Sequence, residues 1–125
     1  MTDKELLDTH SVSLELFEGE LWTRPGIYIE ELKTVFINRN LSEADTHQVL
    51  LHELGHLNHT PAIYAMFTEK AEVQANRYMI HNLIEEELQT IDDPANFNLV
   101  DFANKYHLNT LCFETIIADE YSKMV

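Results

Sequence analysis

The pattern of apolar residues predicts an α+β fold, a small three-stranded antiparallel sheet packed against a bundle of four to five helices. Apolar residues alternate at period two in the first third of the chain and then switch to helical spacing. A length of 125 residues suits one core, so residues 1–125 are expected to form a single domain.

Residues 2–9 carry Leu6 and Leu7 among charges and read as a short helix. From Ser11 to Phe17, Val12, Leu14 and Leu16 alternate as in a half-buried strand. Gly19, Pro25 and Gly26 mark a loop. Ile27 and Ile29 alternate with Tyr28 and Glu30, and the strongly β-forming Thr34-Val35-Phe36-Ile37 follows after three residues, so the two stretches read as a hairpin. The edge of such a sheet can pair with an extended peptide.

Ser42 followed by Asp45 resembles a capping box and opens a helix over about 43–58. Val49, Leu50, Leu54 and Leu57 form its apolar stripe, and Thr60-Pro61 ends it. Gly55 inside it costs ~1 kcal/mol relative to Ala, so another segment is expected to pack close to the backbone there. After a connection over 62–67, Thr68 caps a long helix reaching about residue 89. Its apolar side is Val73, Tyr78, Met79, Leu83 and Ile84, and Glu85-Glu86-Glu87 is a solvated end. Asp92-Asp93-Pro94 breaks the chain, and two further helices are expected near 99–106 and 109–122.

Composition excludes several functions. Eight basic residues against 22 acidic ones give a net charge of −14, which argues against binding a phosphate backbone. The charged start Met1-Thr2-Asp3-Lys4-Glu5 leads into no long apolar run, so no signal peptide is expected. No stretch approaches the ~20 apolar residues that span a bilayer. The lone Cys112 cannot form an internal disulfide, fits a reducing cytoplasm, and is expected in the core.

His52-Glu53-Leu54-Gly55-His56 carries the chemistry. Residues four apart share one face of a helix, so His52 and His56 can direct their imidazoles at one ion. With a carboxylate from elsewhere they make a three-ligand zinc site that keeps a position for water, and Glu53 stands where it can take a proton from that water. Random placement of seven His and 15 Glu would yield roughly 0.05 such matches. Glu69 and Glu72 both lie in the first turns of the next helix, and Glu72 is the better third ligand because Asn76 follows one turn later on its face. A polar side chain there can hydrogen-bond the back of a ligand imidazole. Glu69 is the alternative. A metzincin extension would need Gly at 59 and His at 62, where the chain has His59 and Ala62. Of the remaining histidines (His10, His47, His59, His81, His107), His59 alone is close enough in sequence to compete.

LLHELGH at 50–56 and EVQANRY at 72–78, with the GIYIE…KTVFIN hairpin before them, resemble the ImmA/IrrE-type metallopeptidases. The resemblance covers roughly residues 12–80 and implies a zincin-like bundle holding one zinc ion. Carried over by motif, His52, His56 and Glu72 are its ligands, Glu53 is the catalytic base and Asn76 sits behind a ligand. It also implies a cytoplasmic endopeptidase of gluzincin type, acting on a helix-turn-helix repressor of a phage or mobile element. Tyr28, Tyr64, Tyr78 and His81 are candidate donors to the oxyanion. The alternative is a non-catalytic antirepressor, a binding module whose metal site is structural. Residues 102–117 faintly resemble helix-turn-helix but carry one Lys and one acid, too little basic charge for phosphate contacts, so they read as packing helices, and no direct nucleic-acid contact is expected.

Overall fold

The computed structural model describes residues 2–20 and 24–125, the side chain of Pro61 excepted. The middle of the expected loop, residues 21–23, lies outside the described residues. The described elements are a three-stranded sheet and six α-helices, in the order α1 (Asp3–His10), β1 (Ser13–Phe17), β2 (Gly26–Ile29), β3 (Thr34–Asn38), α2 (Glu43–Leu54), α3 (Pro61–Met66), α4 (Thr68–Gln89), α5 (Leu99–Lys105) and α6 (Leu111–Met124). The fold is α+β. Contacts divide the chain into two compact units, Met1–Ala75 and Asn76–Val125, with the division inside α4.

In the first unit the sheet order is β1-β3-β2. β2 and β3 form the expected antiparallel hairpin, with Tyr28 opposite Val35, joined through a 3₁₀ turn and Lys33 in the left-handed region at φ 50°. β1 instead runs parallel to β3, with Leu14 opposite Val35 and Leu16 opposite Ile37. The sheet is therefore mixed, where an antiparallel one was expected. Period-two alternation marks a strand but carries no polarity: β2 runs against β1 and β3 runs against β2, so β3 enters between them pointing the same way as β1. β3 is central, and its Val35 and Ile37 are fully buried. The sheet packs on α2, whose Leu50, Leu51 and Leu54 are buried while Val49 and Leu57 are half-buried.

α2 ends at Leu54, four residues short of the expected bound, and Gly55 is its C-cap. Ser42 accepts the Asp45 N–H at the other end, as its sequence suggests. The expected connection over 62–67 is helical: Thr60 caps α3 by accepting from Ile63 N–H, and Pro61 occupies the first turn. Proline stops a helix behind it but is pre-organised to start one.

In the second unit α5 packs against α6, around the buried Phe102, Ile116 and Ile117. Phe97 stacks on Tyr121 with centroids 4.6 Å apart. Arg77 on α4 donates to Asp119 (2.6 Å) and Glu120 (3.0 Å) on α6. Cys112 is exposed, contrary to expectation, because it lies with exposed Leu111 in the first turn of α6, before the covered face begins. Among the described residues no helix is long and apolar enough to cross a membrane.

Candidate metal centre

Residues of the first unit, from α2 and the start of α4, supply the site. α2 carries His52 at one position of its last turn, and the turn beyond Gly55 carries His56. α4 supplies Glu72 one turn from its start. Gly55 is what lets them meet. A Cβ added there would lie 2.7 Å from Ala75 Cα and 2.9 Å from Ala75 O, so the backbones approach where no side chain could stand. Its φ of −64° is ordinary, so the requirement is for space and not for conformation.

His52 Nε2 lies 3.1 Å from Glu72 Oε2, His56 Nε2 lies 3.3 Å from Glu72 Oε1, and the two Nε2 atoms are 3.3 Å apart. One imidazole nitrogen each from His52 and His56 and one carboxylate oxygen of Glu72 lie within 4.8 Å of one another, close enough to share a divalent cation bound at ~2.0–2.2 Å. Among the described residues, these are the His, Cys, Asp and Glu side chains whose ligand atoms gather closely enough to hold an ion. Glu69 is exposed and is not among them.

A cavity of about 480 Å³ opens onto the three donors. β2, Arg24, Glu30, Glu53 and Tyr64 contribute to its walls. Glu53 is 9% exposed, and its Oε2 accepts the backbone N–H of Tyr28 at 3.2 Å. Burial raises its carboxyl to about 7, and Glu72 adds to the shift, against the opposing pull of the Tyr28 N–H and Arg24. His56 is driven down to about 4, first by burial and then by the charge of His52. It therefore stays neutral near pH 7, the form that can offer a lone pair to a metal.

The IrrE N-terminal-like domain, a peptidase family, matches the chain over residues 7–107. The chain belongs to this family. No curated protein and no solved structure matches it. Membership makes the chain a metallopeptidase-family protein, a class that works on protein substrates with the help of a metal. In this IrrE N-terminal-like domain the tyrosines among the oxyanion candidates separate. Tyr28 and Tyr64 line the cavity, and the Tyr64 hydroxyl donates to Glu72 Oε1 at 2.8 Å, which raises its pKa and keeps it protonated. The Tyr28 hydroxyl is turned to Glu30 at 2.6 Å. Tyr78 and His81 belong to the second unit, where His81 pairs with Glu85 and Glu120.

Two features escaped the sequence reading. Arg24 lines the cavity, yet no motif surrounds it. His59 neither competes for the ion nor sits idle at the surface. Its Nδ1 lies 2.9 Å from His56 Nδ1, and its Nε2 lies 2.7 Å from Gln74 Oε1. The three-residue step from His56 to His59 was visible in the sequence, but Gln74 gave no signal.

Proposed function

We propose that the chain is a zinc-dependent endopeptidase in which His52, His56 and Glu72 hold the ion and Glu53 is the catalytic base. The observation that carries this reading is that His52, His56 and Glu72 each bring a ligand atom within 4.8 Å of the others, beside an open cavity. Bound there, zinc would polarise a scissile carbonyl and lower the pKa of water towards ~7. Glu53 accepts a proton from the attacking water on its carboxylate and passes it to the leaving amine nitrogen as the C–N bond breaks. Its carboxyl, raised to about 7 by burial, suits both transfers near neutral pH. The Tyr28 N–H holds that carboxylate in place.

Tyr64 is the donor we assign to the developing oxyanion, because its protonated hydroxyl stands at the donor cluster. β2 is an edge strand that also lines the cavity, so a substrate backbone can add to it as a further strand. For substrate we propose a helix-turn-helix repressor of a phage or mobile element, cleaved in the cytoplasm. The support for this is the resemblance of residues 50–56 and 72–78.

The test is incubation with the repressor encoded in the neighbouring operon, with and without a chelator. Defined fragments that vanish when the metal is removed are expected. A stable uncut complex would make the chain a binding module with a structural ion.

A further inference from the structure

His56 has two ring nitrogens with different tasks. Nε2 faces His52 Nε2 and Glu72 Oε1, each at 3.3 Å. Nδ1 faces His59 Nδ1 at 2.9 Å, and His59 in turn reaches Gln74 Oε1 at 2.7 Å through its Nε2. With the Gln74 carbonyl oxygen turned to His59, the protons along this chain run in one direction. The Gln74 carbonyl oxygen can only accept, so His59 Nε2 carries a hydrogen. A neutral imidazole has one N–H, so His59 Nδ1 is left with its lone pair. Two facing nitrogens at 2.9 Å need one hydrogen between them, and it must then come from His56 Nδ1. His56 has thereby used its single proton, and Nε2 points a lone pair at the donor cluster.

We propose that His59 and Gln74 are positioning residues that hold His56 as its Nδ1–H tautomer, leaving Nε2 as the ligand nitrogen. This rests on the reading of His52, His56 and Glu72 as ligands. A ligand histidine needs such a partner behind its ring to fix both orientation and tautomer. The sequence pointed to Asn76 for this role, but at His56 the partner is His59. The chain geometry explains why. His59 N–H closes onto His56 O at 2.8 Å in the turn after α2, which brings the two rings together. The close approach of Gly55 to Ala75 then places the residue before Ala75 within reach of His59. Running the chain in reverse, with Gln74 donating through its amide nitrogen, would put the proton on His56 Nε2 and block the ligand position.

Three variants test this, namely Gln74→Glu, Gln74→Leu and His59→Leu. Gln74 is exposed, so its substitution leaves the fold intact, which thermal unfolding checks. In the metal-free proteins, long-range ¹H–¹⁵N spectra of the imidazole nitrogens report each tautomer. Zinc affinity is measured separately by competition with a chromophoric chelator. The wild type and Gln74→Glu should both show His56 protonated at Nδ1 and bind zinc within about threefold of each other. Gln74→Leu and His59→Leu should mix the two tautomers and bind zinc roughly 10- to 100-fold more weakly. His56 protonated at Nε2 in the wild type, or unchanged zinc affinity in both leucine variants, would overturn the proposal. A wild type that binds no zinc would sink the ligand reading instead. The spectra would then still decide the relay, which stands if Gln74→Leu releases the Nδ1 proton and falls if it does not.

Discussion

Ala75 Cα stands 2.7 Å from the point where a Cβ on Gly55 would lie, so the turn after α2 and the body of α4 touch backbone to backbone. Glu72 and Gln74 lie just before Ala75 in sequence, and both reach histidines of the α2 segment. Gly55→Ala should therefore act through space alone. The main-chain atoms of Ala75 cannot swing aside as a side-chain tip would, and overpacking of this kind costs about 1–3 kcal/mol. Urea unfolding should show that loss, with weaker zinc binding as the helices part. An unchanged midpoint would mean that the contact is slack.

Glu53→Gln should separate chemistry from metal binding. Losing a general base costs about 10²–10⁴-fold in rate, while His52, His56 and Glu72 are left in place. Cleavage assays paired with zinc analysis check this, and near-normal turnover in the variant would remove Glu53 from the reaction.

The same variant carries a pH signature in the metal-free protein. An unfolded glutamate ionises near its ordinary value of 4.5, whereas folded Glu53 holds its proton up to about 7. Between those values the folded state binds more protons than the unfolded one, so stability falls as pH rises through that window. At pH 8 Glu53→Gln should be more stable than the wild type by up to about 3 kcal/mol, and near pH 4 the advantage should fade. Parallel stability curves across that range would show that burial does not shift this carboxyl.

Tyr64→Phe removes a hydroxyl and little else. If Tyr64 serves the oxyanion, kcat should drop about 100-fold with KM nearly unchanged and the ion retained. A rise in KM alone would make it a substrate contact.

In the second unit, burial would raise the Glu120 carboxyl, but Arg77, Lys123 and His81 together hold it below its ordinary value. Its contribution is thus present above pH 4.5 and lost as pH falls through the lowered folded value. Glu120→Gln should cost about 1–2 kcal/mol at pH 7, and the difference should shrink below pH 4. Chemical denaturation at both pH values would reveal a constant difference if the charge were irrelevant.

Much of this site was legible because its parts are local. His52 and His56 are four residues apart, and Glu72 sits one turn into a helix whose start Thr68 marks. The hairpin was legible for the same reason, since β2 and β3 are neighbours in sequence. What depended on distant partners was not. The direction of β1 is set by its pairing with β3, and alternation of Val12, Leu14 and Leu16 is the same in either direction. α2 ends at Leu54, just before Gly55, whose close approach to Ala75 no helical propensity records. The same holds for Gln74, an exposed amide whose role follows from one contact with His59.

The most direct test of the metal centre is zinc stoichiometry and affinity in the purified wild type and in His52→Ala, His56→Ala and Glu72→Ala. One ion per chain is expected in the wild type, with each substitution weakening binding by 100-fold or more, on the order of 3 kcal/mol. Zinc held as tightly after loss of Glu72 as before it would contradict the three-ligand site.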